Sequence, residues 1–342
     1  MQSTSDSFEL EKKKIGVTPL PCPARKVGSR AKALLALPGF SGKVLAVFST
    51  TIYLSSREGE IFWISSEGLP MHRRSVLASF RSDFICIGQS FFAQGSFLRI
   101  GGEVIIDLDQ ATEWKPFCIG PKQAVPLAVL NVSIHRLLEA VAKFGKAKGL
   151  GQTIPLISAL MGGSEMPTSG QDLLVARARN SILGLAAACF ALDMREVIKR
   201  GRELVGLGPG LTPSGDDFLG GLLFSAHSLK AAYPEGFDWE EKPVMGLIEW
   251  ARNQTHPISH AILRDHSFGQ GPEPLHEVFA SLLNGQGLDC TMAGVTRLLG
   301  IGDTSGWDIL AGMLTGMLLV EGKLSESPLS NPSCFRNECR RG

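Results

Sequence analysis

The spacing of hydrophobic residues divides the chain into two regions with different predicted secondary structure. Over residues 28–114, short runs rich in Val, Ile and Phe alternate with Gly, Ser and Asp, as in KVLAVFSTTIYL (43–54) and SDFICIGQ (82–89). Such runs are typical of short strands joined by tight turns, and no helical pattern of useful length interrupts them. We therefore expect a small antiparallel β-barrel or β-sandwich in this region.

Beyond residue 126, apolar residues recur at helical spacing. NVSIHRLLEAVAKFG (131–145) ends in Gly, and the segment 169–193 begins with Ser169 as a cap and has acids in its first turn. Asp193 is predicted to cap a helix that runs through Arg202. Further helices are predicted over 216–232, 238–253, 257–265, 274–284, 290–299 and 306–321. The predicted fold class is therefore α+β, with an all-helical C-terminal domain.

These patterns also predict the domain boundaries. A flexible N-terminal arm (1–27) precedes the β-rich domain (28–114), and a linker (115–126) within WKPFCIGPKQAVP leads to the helical domain (127–324). The polar residues 325–342 are predicted to form a disordered tail. A length of 342 residues agrees with two domains rather than one.

The helical domain contains an internal repeat. GLGPGLTPSGDDFLGG (206–221) and GIGDTSGWDILAGML (300–314) share the pattern G-[LI]-G, a short loop, S-G-x-D-x-L-x-G. With Ser214 aligned to Ser305, Asp217 meets Asp308 and Gly221 meets Gly312. Each copy is typical of a glycine-rich loop that enters a helix, with the serine as N-cap. Small residues four apart predict that the two helices cross closely, with both loops at the same end.

The first copy has more glycine, proline and acid than capping requires, which favours a ligand site. Exposed amides at the start of a helix bind anions, and glycines let the backbone approach a ligand. G-K-[ST] and G-x-G-x-x-G are both absent, so a P-loop and a dinucleotide site are disfavoured. The predicted ligand-binding residues of the two copies are Gly208, Gly210, Thr212, Ser214, Gly215, Thr304, Ser305 and Gly306.

The acids of the repeat admit several interpretations. Asp216, Asp217 and Asp308 are either plain first-turn acids or the chemically active groups of the site, orienting the loops or accepting a hydrogen from a substrate amine. Holding Mg²⁺ through water is the weaker alternative, so no metal ligand is assigned. In RNQTHPISHAILRDH (252–266), Thr255 and Ser259 are expected to hydrogen-bond a polar ligand. His256 and His260 have zinc-compatible spacing but lack the H-E-x-x-H glutamate.

Composition narrows the choice of partners. A net charge of +1 provides no basic face, which argues against nucleic acid. Seven scattered cysteines without C-x-x-C agree with a reducing cytoplasm. The uninterrupted apolar runs are about 12 residues long against about 20 for a membrane span, so no membrane partner is predicted.

The block GLGPGLTPSGDDFLGG resembles the signature of a bacterial family, long catalogued as a domain of unknown function, that includes the AllH subunit of oxamate carbamoyltransferase. GIGDTSGWDILAGML, THPISHAIL (255–263) and IDLDQATEWKP (106–116) resemble further parts of that family, so the likeness covers about residues 28–322. Asp303 departs from the small residue or histidine expected at that position of the family.

The resemblance implies a carbamoyltransferase subunit that binds carbamoyl phosphate or a similar anion in allantoin catabolism, alongside other subunits or further copies of itself. The alternative is a non-catalytic scaffold or ligand-sensing subunit of a metabolic complex. Carbamoyl transfer needs stabilised charge on the carbonyl oxygen and on the leaving phosphate, and it needs no covalent nucleophile. This requirement agrees with the absence of a Ser-His-Asp order from the sequence.

Overall fold

The structure is a computed structural model, which describes residues 20–116, 120–121, 123–160 and 172–326. The chain divides into two compact units, the described parts of residues 1–69 with 74–113 and of residues 70–73 with 114–342. The described residues thus show an α+β protein, as the hydrophobic pattern predicts. The predicted Ser169 cap and most of the predicted arm and tail lie outside the described residues.

The N-terminal unit is a closed β-barrel of eight strands. The strand order is β5-β4-β3-β2-β6-β7-β8-β1, and pairing of β5 with β1 closes the ring, while β9 pairs with β1 outside it. The strands are β1 (Cys22–Gly28), β2 (Ser41–Val47), β3 (Thr51–Ser56), β4 (Ile61–Ser65), β5 (Ser75–Ala78), β6 (Ser90–Gln94), β7 (Phe97–Ile100), β8 (Val104–Asp107) and β9 (Thr112–Trp114).

The barrel differs from its prediction in three respects. It begins at Cys22, so residues 22–27, which were predicted as part of the flexible arm, belong to strand β1. It also contains α1 (Ser29–Leu35), a helix too short to establish a helical period in the sequence. Two pairings, β1 with β8 and β4 with β5, are parallel in an otherwise antiparallel ring. Phe40, Phe62 and Phe91 fill the interior, with ring centroids 5.4–5.8 Å apart.

The C-terminal unit is helical. Its described helices are α2 (Leu127–Ala142), α3 (Ile154–Leu160), α4 (Leu173–Phe190), α5 (Met194–Gly201), α6 (Ser214–Ala232), α7 (Glu241–Ala251), α8 (Pro257–Ser267), α9 (Glu273–Leu283), α10 (Leu288–Leu299), α11 (Ser305–Gly316) and α12 (Leu318–Ser325). Asp193 caps α5, as predicted, and Asp172 caps α4. The helix predicted over 306–321 is two helices, because the helix is interrupted at Met317.

Helix α4 tests the prediction that no segment spans a membrane. Among the described residues, Leu173–Phe190 is one helix that is long and apolar enough to cross a membrane by length and composition, with a mean hydropathy of 1.4. The length of uninterrupted apolar runs did not indicate this helix, because Arg177 and Arg179 interrupt its apolar sequence. Of the helix, 44% is buried inside the protein, and the core helix of a soluble protein passes the same test. The absence of a membrane partner stays a prediction.

Helices α6 and α11 pack backbone to backbone, and the contact is reciprocal. A Cβ on Gly221 of α6 would lie 2.1 Å from the carbonyl oxygen of Ile309, and one on Gly312 of α11 would lie 1.8 Å from that of Phe218. Each glycine is seven residues after the serine that begins its helix, and each opposing residue is four after it. The repeat therefore folds with approximate two-fold symmetry, and the predicted close crossing is confirmed.

This contact predicts that a single added methyl group strongly lowers the stability of the fold. Gly312→Ala would place its Cβ against the Phe218 backbone, which cannot move as a flexible side chain can, so we expect the free energy of unfolding to fall by about 3 kcal/mol or more. Chemical denaturation of the full chain measures it. Gly246→Ala in α7 is the matched control, because no atom lies within 4 Å of its Cβ position. Equal stability of the two variants would contradict the close packing.

Candidate functional site

The two copies of the repeat form the same turn. In the first, the amide of Gly215 donates to the carbonyl of Leu207 (2.8 Å), and in the second, the amide of Gly306 donates to that of Ile301 (3.0 Å). A Cβ at either of these glycines would lie 2.0 Å from a leucine carbonyl oxygen, so only glycine fits. Both loops consequently reach their helices along the same path, which brings the starts of α6 and α11 together.

Ser214 and Ser305 begin their helices but do not cap them. Pro213 and Thr304 precede the helices, and neither supplies a side-chain cap to the first turn. The Ser214 hydroxyl instead lies 3.4 Å from that of Thr304, and the Ser305 hydroxyl lies 3.3 Å from that of Thr212. The predicted capping role is therefore wrong, because each serine is already inside its helix and its hydroxyl faces the opposite copy. We call these four side chains the hydroxyl cluster: Thr212, Ser214, Thr304 and Ser305.

The loop of the first copy leaves backbone amides available. Gly208 and Gly210 have φ values of +121° and +92°, a region that side chains disfavour. Among the described residues, the amides of Gly208, Gly210 and Leu211 donate to no backbone carbonyl. Space is open around the Cβ position of Gly210. This geometry supplies N–H donors at a partly exposed loop, as an anion requires.

Asp217 and Asp308 lie next to the hydroxyl cluster, one from each copy. They are only 4% and 0% exposed, respectively. Among the described residues, the Oδ2 atom of each lacks a hydrogen-bond partner. Because a buried carboxylate oxygen without a donor is costly, such an atom requires explanation. The pair offers two acceptors that a proton or a ligand N–H group would satisfy.

The electrostatic environment of these two acids favours protonation. Burial raises the pKa of Asp217 well above its ordinary value, and repulsion from Asp308 and Asp216 raises it further. Burial also raises the pKa of Asp308, to about 6. Nearby polar groups oppose both shifts, and in each case they include the hydroxyl of the serine of the other copy. The carboxyl pair can therefore hold a proton near neutral pH.

Asp216 has a different environment from its neighbour Asp217. Its Oδ1 accepts from the Gly206 amide (2.7 Å), and its Oδ2 accepts from the hydroxyls of Thr255 and Ser259, the latter at 2.6 Å. Burial raises its pKa, and these three donors oppose the shift. Thr255 and Ser259, expected to face a polar ligand, thus donate to this carboxylate. Asp216 fixes the start of the glycine-rich loop against α8.

A third segment that was not predicted completes the arrangement. The 3-10 helix Gly149–Thr153 precedes α3, and the Leu150 amide donates to Asp308 Oδ1 at 2.6 Å. Cβ atoms on Gly149 and Gly151 would meet the side chains of Asp308 and Trp307, respectively. The sequence signal for this segment is a third G-[LI]-G tripeptide, Gly149-Leu150-Gly151. Next to it, Lys148 pairs with Asp303 of the second loop at 2.6 Å.

The other candidates do not form a second centre. The Nδ1 of His256 accepts from the Ile258 amide, and the Nε2 of His260 lies 3.0 Å from the Ile248 carbonyl, so the two rings have separate partners. In the described part of the chain, no group of three or more His, Cys, Asp or Glu side chains is placed to hold a metal ion. Two surface clefts on the helical unit, one beside Leu223 and Trp239 and the other beside Phe224 and Phe279, have no lining residue from either loop.

Fold and site together define an α+β protein in which a closed β-barrel precedes a helical unit built on a two-fold repeat. The family model described as oxamate carbamoyltransferase subunit AllH matches residues 204–317, about a third of the chain. That segment contains both copies of the repeat and Thr255, so the resemblance in the sequence is confirmed there. No solved structure matches the chain.

The bonds to Asp216 predict the effect of Thr255→Val. Loss of the hydroxyl removes a donor from a buried carboxylate, so the free energy of unfolding should fall by about 2 kcal/mol. Hydrogen exchange at the Gly206 amide should accelerate, because the loop start is less firmly held. Thr296→Val is the control, since that exposed hydroxyl bonds only within its own helix. If both variants match the wild type, the assigned role of Thr255 is wrong.

The raised pKa of Asp308 predicts a pH effect on stability. A carboxyl with a folded pKa of about 6 and an ordinary value of 3.8 stabilises the fold below about pH 4, and this contribution is lost as the pH rises through 6. Relative to Asp308→Asn, the wild type should lose about 2 kcal/mol between pH 4 and 7, most of the full effect of the shift at about 1.4 kcal/mol per pKa unit. Denaturation of both proteins across this range measures the difference.

The comparison with the variant is needed because buried histidines act in the opposite direction. Burial lowers the pKa of His276 to about 4 and that of His266 to about 3, so their contribution to stability grows as the pH rises. Both histidines are present in both proteins, and their effect cancels in the difference. Parallel stability curves for the wild type and Asp308→Asn would refute the shift at Asp308.

Proposed function

We propose that this chain is a subunit of a carbamoyltransferase and that its two glycine-rich loops bind a small anionic molecule with an N–H group, such as oxamate or carbamoyl phosphate. The observation that carries the proposal is the pair of unpartnered Oδ2 atoms of Asp217 and Asp308 beside a loop with available amides. The match to oxamate carbamoyltransferase subunit AllH over both loops supports the reaction class.

The two kinds of group in the site suit the two ends of such a molecule. The amides of Gly208, Gly210 and Leu211 would hold a carboxylate or phosphate through N–H donors. The carboxyl groups of Asp217 and Asp308 would accept from an NH₂ group, which meets the need of their buried oxygens for donors.

Carbamoyl transfer places further demands that the hydroxyl cluster meets. When an acceptor nitrogen attacks the carbamoyl carbon, a C–N bond forms, the C–O bond to phosphate breaks, and the phosphate leaves with the electron pair. Negative charge grows on the carbonyl oxygen and on the leaving group, and prearranged O–H and N–H donors stabilise it. The acceptor nitrogen also loses a proton, for which the carboxyl pair of Asp217 and Asp308, with one of its two groups ionised, is the candidate base.

Asp216 has a positioning role in this proposal. Its carboxylate is already occupied by the Gly206 amide and the hydroxyls of Thr255 and Ser259, so it holds the loop in its binding conformation. The subunit name in the family description supports partner chains. Such partners would supply cationic groups in addition to those of this chain, because the two loops themselves contain no arginine or lysine. Self-association of the chain is a further option.

Calorimetric titration with oxamate, carbamoyl phosphate and inorganic phosphate, each with and without Mg²⁺, tests the proposal. We expect saturable binding by the wild type and a loss of affinity of about tenfold or more in Asp217→Asn or Ser214→Ala, since a hydrogen bond to a charged group contributes about 1.5–3 kcal/mol. Asp289→Asn is the control, an exposed first-turn aspartate of α10. Thermal denaturation shows whether the variants remain folded.

The same variants separate catalysis from a scaffold or sensing role. With partner subunits added, Asp217→Asn should lower the rate of carbamoyl transfer while the complex still assembles. If complex formation alone changes, the chain is a scaffold. If neither the isolated chain nor the assembled complex binds any of the three ligands, the proposed site is wrong.

A further inference from the structure

We infer that Lys148 is the cation of the loop site and that Asp303 acts as its counter-ion until an anionic ligand displaces it. This inference rests on the proposed function of the loops. It adds a binding residue from outside both copies of the repeat, and it gives Asp303 a role.

The position of Lys148 follows from the segment next to it. Gly149 packs so closely on the second loop that a Cβ there would lie 2.9 Å from the Thr304 side chain and 2.4 Å from Asp308 Oδ1. The Leu150 amide fixes the segment by donating to the same Asp308 oxygen at 2.6 Å. The backbone of Lys148 is therefore held beside the acids and hydroxyls of the site, while its flexible stem leaves the ammonium group free to change partner.

The present partner of the ammonium group is weakly held. Lys148 Nζ lies 2.6 Å from Asp303 Oδ1, with the side chains 54% and 83% exposed, respectively. Ion pairs this exposed contribute little to stability, because water screens the charges and two flexible side chains become ordered. The fold therefore does not depend on this pair, and a ligand with better geometry can compete for the lysine.

The charge distribution shows why the site needs this lysine. Asp216, Asp217 and Asp308 are buried together, and the pKa of Asp217 is raised first by its burial and then by repulsion from the other two. An anion that approaches the loops meets the same negative field, which the available amides offset only in part. An ammonium group at the second loop supplies the opposite charge. Asp303 forms an ion pair with that ammonium group until a ligand binds.

Titration of the full chain with oxamate and inorganic phosphate at low salt tests the inference. Lys148→Ala should weaken binding about tenfold, as expected for loss of a charge-assisted hydrogen bond. Lys148→Arg should keep most of the affinity, because the charge is retained. Lys146→Ala removes an exposed lysine two residues away and should bind like the wild type.

The direction in which Asp303→Asn changes the ligand affinity decides whether Asp303 competes with the ligand. If Asp303 competes with the ligand, its removal should tighten binding about threefold, in line with the energy of an exposed ion pair. A pair that only braces the loop would weaken binding in both Asp303→Asn and Lys148→Ala. Added salt should reduce wild-type affinity more steeply than that of Lys148→Ala.

The outcomes separate this inference from the proposed function. If the wild type binds and Lys148→Ala binds equally well, Lys148 is not the cation of the site, and the loop site itself stands. If Asp303→Asn weakens binding, the counter-ion role is wrong. If the wild type binds neither probe, alone or with partner subunits, both the loop site and the role of Lys148 are overturned.

Discussion

The approach of two helix backbones at Gly221 and Gly312 is the contact on which the helical unit depends. Because neither glycine has a side chain, α6 and α11 pack directly on the carbonyl groups of Ile309 and Phe218. That close approach lets the hydroxyls of one copy reach the other copy, and it keeps Asp217 and Asp308 buried at the helix starts. A larger residue at either position would separate the helices and admit solvent to both acids.

The burial that raises the pKa values of Asp217 and Asp308 follows from the same close approach of α6 and α11. Asp216 and Asp217 are adjacent in sequence, yet successive residues of a helix point about 100° apart. One side chain faces α8 and receives three donors, whereas the other faces α11 and has an unpartnered oxygen. One buried acid therefore braces a loop, and its neighbour is available for chemistry.

The sequence predicted those features of the fold that depend on a local pattern of residues. Short runs rich in Val, Ile and Phe indicated a β-barrel or β-sandwich, and the matched glycines indicated the helix crossing and the shared end of the two loops. The prediction of serine caps failed because each serine is already the first residue of its helix, and its hydroxyl faces the opposite copy. Thr255 and Ser259 were expected to hydrogen-bond a ligand, and only the fold shows that both donate to Asp216. Lys148 was missed because nothing in the sequence connects residue 148 with residue 303.

The two-fold repeat within one chain has a genetic consequence. In a symmetric homodimer, every substitution at the interface appears twice, so both halves of a central site must change together. Here each half is encoded separately, and a mutation alters one half alone. The halves have in fact diverged: the first has the Asp216 brace, and at the aligned position the second has Trp307, packed against Gly151. An asymmetric molecule can thus be recognised by a site whose scaffold is nearly symmetric.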